Sequence, residues 1–101
     1  MTATDRELLE AAAKAAGIKV AWRDAVGCLC YSGSPYHVAW NPLTDDGDAL
    51  RLAVARRVDV WFLGQNAVQA ARAGQPTTTE AICIETDPTA ATRRAIVRAA
   101  I

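Results

Sequence analysis

The chain has 101 residues, 51% of them apolar and 22% charged, which suits one compact domain and lies far from the low-hydrophobicity, high-charge signature of disorder. Eleven basic and eleven acidic residues cancel, so no whole-molecule field gathers polyanions or holds the protein on an anionic membrane. No apolar run approaches the roughly 20 residues that span a bilayer, and Met1 leads into Thr-Ala-Thr-Asp-Arg-Glu rather than a basic-then-apolar leader, which points to the cytosol.

The first predicted element is a helix. Thr4 and Glu7 form an S/T-x-x-E capping box, in which each side chain satisfies a backbone N–H that the first turn leaves unpaired. Leu8, Leu9, Ala12, Ala15 and Ala16 fall on one side at 100° per residue, Arg6, Glu7, Glu10 and Lys14 on the other, and Gly17 supplies a left-handed stop. After Gly17 the period becomes 2. Ile18, Val20 and Trp22 alternate with Lys19, Ala21 and Arg23, as in a strand with one buried face, and Asp24 to Gly27 is the turn. Cys28 to Tyr31 and Tyr36 to Trp40 read as the next two strands, joined by Ser32-Gly33-Ser34-Pro35, so that the three form an antiparallel meander.

Asn41-Pro42 ends the third strand, because proline cannot donate to a ladder. A second helix follows, capped by Thr44 or Asp45, with Asp45, Asp46 and Asp48 at its positive end and Arg56 and Arg57 in its last turn. Leu50, Ala53 and Val54 form its expected inner stripe. Leu52 projects away from that stripe, so the helix is either buried over a wide arc or carries an exposed apolar spot. Val58, Val60 and Phe62, interleaved with Asp59, Trp61 and Leu63, make a fourth strand, apolar on both faces and expected to be central.

Ala67 to Arg72 reads as a fifth strand, with a short helix as the alternative because alanine is a poor strand former. A loop through Ala73-Gly74-Gln75-Pro76 and three threonines leads to a strand over Glu80 to Thr86, with Ile82 and Ile84 on one face and Ala81, Cys83 and Glu85 on the other. The last helix starts with Asp87 as N-cap and Pro88 at its first position, where the missing N–H costs nothing. Thr92, Ala95, Ile96, Ala99 and Ala100 build its buried arc, with Arg94 and Arg98 outside, flanking Val97 and Ile101. The expected fold is α+β: three helices packed on a mainly antiparallel sheet, in the order α-β-β-β-α-β-β-β-α, as a single domain spanning residues 1–101.

Several segments taken together resemble a known family. They are Arg6-Glu7-Leu8-Leu9 with Ala12 to Ile18, the run from Trp40-Asn41-Pro42 to Val54, Asp59-Val60-Trp61-Phe62, and Asp87-Pro88 with Ala90 to Ala100. This set is similar to the phage ABA-sandwich domain family of small tailed-phage and prophage proteins, across roughly the whole chain, with the central run the specific part. The resemblance implies an α/β/α-type sandwich, a bacteriophage or prophage origin and hence the host bacterial cytosol, and no established biochemical activity or catalytic residues. The chain departs from the family between Leu63 and Glu80, where it is longer and rich in alanine and threonine.

Cys28, Cys30 and Cys83 are an odd count and read as free thiols, the first two filling one strand face. Clustered Asp45, Asp46 and Asp48 are carboxylates of the kind a divalent cation needs, but helix N-termini attract acids for their own reasons, and a calcium loop's closing glutamate is missing. His37 is the only histidine, and the C-x-C spacing is not that of a zinc site. The sequence marks no catalytic residue, metal site or cofactor. Trp22 and Trp40 extend core-facing alternations, while Trp61 points opposite to Val60 and Phe62, giving the sheet a second packed face or a partner an aromatic anchor. Arg93, Arg94 and Arg98 make the last helix basic outside, without the interleaved aromatics of a nucleic-acid surface.

Trp61, Leu52, Val97, Ile101, Arg94 and Arg98 are therefore the candidate partner contacts. The expected function is that of a non-enzymatic phage accessory protein acting by protein binding, as a homodimer or against a host or phage protein. The alternatives are a nucleic-acid-binding module using the last helix with Arg56 and Arg57, and a small hydrolase or ligand-binding domain using Asp45, Asp46 and His37.

Overall fold

In the computed structural model, residues 4–33, 36–65, 67–81 and 87–101 are described, those at 79–81 without their side chains. The chain is α+β, with α1 (Asp5–Ala16), β1 (Val20–Arg23), β2 (Cys28–Tyr31), α2 (Asp46–Arg56), β3 (Val58–Leu63), β4 (Ala67–Arg72), β5 (Thr78–Ala81) and α3 (Pro88–Ala100) in order. The strands form two antiparallel sheets rather than the single sheet expected, a β1–β2 hairpin and a β3–β4–β5 meander.

Local chemistry sets the helix ends. Thr4 Oγ1 accepts the Glu7 N–H at 3.2 Å, and Gly17 stops α1 at φ 71°, a left-handed conformation that costs glycine little. Asp45 rather than Thr44 caps α2, accepting the Asp48 N–H at 2.8 Å, and Asp87 caps α3 ahead of Pro88. Arg56 Nε and Arg72 Nε donate to the carbonyls of Ala100 and Ala99 at 2.8 and 2.9 Å, and Arg72 Nη2 reaches Ile101 O at 3.0 Å. Two arginines from other elements thus satisfy carbonyls that the last turn of α3 leaves without helical donors.

α3 is the middle of the structure. Ala91, Ala95 and Ala99 recur every fourth residue and are buried against Val68 and Ala70 of β4, the small side chains allowing helix and sheet to approach closely. Its other side carries Ile96, Val97 and Ala100 into a larger cluster with Leu9, Ala12 and Ala13 of α1, Leu52 of α2, Leu29 of β2, and Trp40. Val97 is 0% exposed, so the sequence expectation that it flanks the outer arginines is corrected: the buried arc of α3 is wide enough to pack on a sheet and on two helices at once.

Four other expectations change. Tyr36 to Trp40 is not a strand: its chain makes one bridge, Cys30 to Ala39, with Trp40 N donating to Leu29 O at 2.9 Å, before turning at Asn41. β3 is an edge strand and β4 the central one, because two hairpins in succession place the middle strand in the middle. The strand reading of Ala67 to Arg72 is correct, and Val68 and Ala70 are fully buried. Trp22 is exposed rather than core, with its ring under the Arg6 guanidinium at 4.3 Å and its Nε1 donating to Asp24 at 2.8 Å. Finally, β5 begins at Thr78, ahead of the expected Glu80, and the faces assigned to Ile82, Cys83, Ile84 and Glu85 fall outside the described residues.

Candidate functional site

α2 runs into β3 with only Arg57 between them, in a left-handed conformation at φ 55°. This sharp reversal lays the outer side of α2 beside the start of β3. Leu52 is 0% exposed and packs in the core with Ala49 and Ala53, whereas Leu50 and Val54 are 65% and 58% exposed. The expected inner stripe of Leu50 and Val54 is therefore overturned, and so is the expectation of Leu52 as a partner contact. Leu50, Ala53 and Val54 face Val58 and Val60 across an open groove of about 540 Å³ with a mainly apolar lining, with Arg57 and Asp59 also on its wall.

Alternation along β3 places Val58, Val60 and Phe62 toward α3 and Asp59, Trp61 and Leu63 away from it. The outward three are exposed, Trp61 at 38%. Among the described residues the second packed face expected for Trp61 does not form, because α1 and α2 pack against α3. Phe62 is also exposed, although it lies opposite the fully buried Val68. Leu50, Val54, Trp61, Phe62 and Leu63 thus concentrate exposed apolar side chains on one helix–strand unit.

The remaining expected contacts do not gather there. Arg94 Nη2 pairs with Asp5 of α1 at 3.1 Å, Arg98 lies exposed in the last turn of α3, and Ile101 is exposed just beyond it. Arg93 donates to Leu43 O at 2.7 Å and to Asp46 at 2.6 Å. The sequence reading missed Leu50, Val54, Phe62 and Leu63 as a surface. The signal for them was that α2 has two overlapping apolar arcs, Ala49–Leu52–Ala53 and Leu50–Ala53–Val54, only one of which can face inward.

The acidic run builds a turn. Asp48, 5% exposed, accepts the Asn41 N–H at 2.9 Å and Arg51 Nη2 at 2.6 Å. That hydrogen bond from Arg51 to Asp48 is the main cause that pushes the guanidinium's pKa upward. A Cβ at Gly47 would meet both terminal nitrogens of Arg51 at 3.2 Å, so glycine leaves the space through which Arg51 reaches back. Asp46 turns instead to Arg93, and His37 does not line the polar cleft of Tyr31, Asp45, Asp48 and Arg51. The carboxylates and histidine invoked for a hydrolase are not brought together, and among the described residues no three His, Cys, Asp or Glu side chains group as metal ligands would.

Cys28 Sγ and Cys30 Sγ lie 3.9 Å apart on the face their spacing predicts, Cys28 half-buried and Cys30 buried. Burial first, then the hydrogen bond and charge of Cys28, push the Cys30 thiol up from its ordinary pKa. A raised pKa leaves less thiolate at any pH below it, so iodoacetamide at pH 8 is expected to label the more accessible Cys28 before Cys30. Cys30 should react only as pH rises further or the chain unfolds, as peptide mass mapping against time will show.

No family model, curated protein or solved structure matches this chain. Its functional reading therefore rests on its own residues. No helix in the described residues is long and apolar enough to cross a membrane.

Proposed function

We propose that this chain is a non-enzymatic protein-interaction module of the phage ABA-sandwich kind that its sequence resembles, of bacteriophage or prophage origin, working in the host cytosol through the α2–β3 surface. The supporting observation is the exposure of Leu50 and Val54 beside an apolar groove, with Trp61, Phe62 and Leu63 exposed on the adjoining strand. Leu50 and Val54, with Val58 and Val60 across the groove, form a contact surface whose burial against a partner is favourable, while Trp61 and Leu63 lie on the other face of β3. Several of the charged side chains invoked for other functions are engaged within the fold: Arg93 with Asp46, Arg94 with Asp5, Arg56 with the end of α3, and Asp48 with Arg51. The basic helix thus offers a weaker case for nucleic acid than its sequence suggested.

The test is affinity capture from host extract, with and without phage proteins, comparing the wild-type chain with the double variant Leu50→Asp/Val54→Asp. Both side chains are exposed, so the variant should keep the wild-type circular dichroism spectrum. The expected result is a protein, a second copy included, enriched on the wild type and reduced at least about tenfold on the variant. Equal recoveries on the two would remove this surface as the site of binding.

A further inference from the structure

We infer that the groove between α1 and the outer edge of β1 takes an extended acidic peptide segment of another protein, which adds antiparallel to β1 as a third strand of the small sheet. The site belongs to the other sheet from the α2–β3 surface and does not depend on it. Among the described residues β1 pairs only with β2. The register fixes where its backbone groups point. Leu29 O accepts the Trp40 N–H at 2.9 Å and the Tyr31 N–H donates to Val38 O at 3.0 Å, so both residues turn their backbone groups away from β1. Trp22 and Val20, their partners across the ladder, therefore turn their own N–H and C=O groups outward. The bond from the Ser32 N–H to Lys19 O at 2.9 Å fixes the same phase. The outward groups of Val20 and Trp22 are unpaired among the described residues, and such groups are what an added peptide strand pairs with.

These groups open onto a groove of about 390 Å³, walled by Glu10, Ala13 and Lys14 of α1 and by the chain from Ile18 to Trp22. Residues from both faces of β1 line it, as happens at a strand's edge. Val20 and Trp22 lie on the face toward α1, since Val20 packs on the cluster that holds Ala13 and the Trp22 ring sits under Arg6 at 4.3 Å. Lys19 and Arg23 lie on the other face. Charge selects the occupant. Lys14, Lys19 and Arg23 are exposed, and none forms an ion pair among the described residues. Glu10 on the groove wall is balanced by Arg6 at 2.8 Å. A second copy paired through β1, with Val20 opposite Trp22, would set Lys19 against Arg23, like charges directly opposite each other. An acidic strand meets the same cations with opposite sign. Its side chains opposite Val20 and Trp22 point toward α1 and are apolar, and those between them point to the Lys19 and Arg23 face and are carboxylates. The recognised pattern is an alternation of apolar and acidic residues.

The probe is the peptide acetyl-Val-Glu-Val-Glu-Val-Glu-amide, titrated to about 2 mM into the isotope-labelled full chain and followed by amide NMR. Shift changes and slowed hydrogen exchange should centre on the Val20 and Trp22 amides. Methylating the valine nitrogens of the peptide, which face β1, should weaken binding at least about tenfold, whereas methylating the glutamate nitrogens, which face away, should cost no more than about threefold. The variant Lys19→Glu/Arg23→Glu changes two exposed side chains and should keep the wild-type circular dichroism spectrum. It should bind the peptide at least about tenfold more weakly. Four results overturn the proposal: no binding by the top concentration, shifts centred on α2 and β3 instead, equal effects of the two methylations, or undiminished binding by the variant. None of them bears on the α2–β3 capture experiment, so the two readings stand or fall separately.

Discussion

Replacing Trp40 with alanine is expected to lower the unfolding free energy by about 3–5 kcal/mol, the range for emptying a buried aromatic site. Trp40 is 1% exposed and the largest fully buried side chain in the molecule. It lies in the cluster where α1, α2, α3 and β2 meet, beside Leu9, Leu29, Leu52 and Val97. No single neighbour can move into the vacated volume without leaving its own packing partners, so the cavity term adds to the lost transfer energy. The site also ties backbone to backbone, since Trp40 N donates to Leu29 O. A chain of this length has a total stability of only about 5–15 kcal/mol, so the variant should unfold at a much lower urea midpoint with an unchanged slope. A loss below about 1 kcal/mol, the ordinary scale of a point substitution, would mean that this cluster is not the core.

The second large effect is a contrast within one helix. Leu52→Ala is expected to cost about 2–5 kcal/mol and Leu50→Ala no more than about 0.5 kcal/mol. The two leucines are two residues apart and chemically identical, so helix propensity and side-chain type cancel in the comparison. Only the rotation of α2 about its axis separates them: Leu52 is 0% exposed and Leu50 65%. Parallel urea titrations check it, and a reversed ranking would turn α2 over, bury the groove residues and withdraw the binding surface with them.

That contrast also locates what sequence reasoning could reach in the candidate site. That Trp61 projects opposite to Val60 and Phe62 was legible because a strand has a period of two, but a second packed face was expected there, and that its face stays open was not legible. Leu50 and Val54 were not, since their arc and that of Ala49 and Leu52 are both apolar and share Ala53. The choice between them is made by contacts with residues far away in the chain. Val97 was misplaced for the same reason: α3 packs on β4 through one side and on α1 and α2 through another, and a helix with two partners has no single stripe for a period to reveal.

While the choice of Asp45 over Thr44 and of strand over helix at 67–72 came from the structure, the sequence by itself determined most helix ends and local periods: Thr4 and Asp87 cap their helices and Gly17 stops one. Such features depend on hydrogen bonds and steric limits within a few residues of chain, so neighbours in sequence suffice to specify them. The tertiary structure alone decided that the strands divide into two sheets, that β3 lies at an edge, and which arc of α2 faces water. These are competitions between burials of nearly equal local merit, resolved by the long-range fit of Trp40, Leu52 and Val97 into one close-packed cluster.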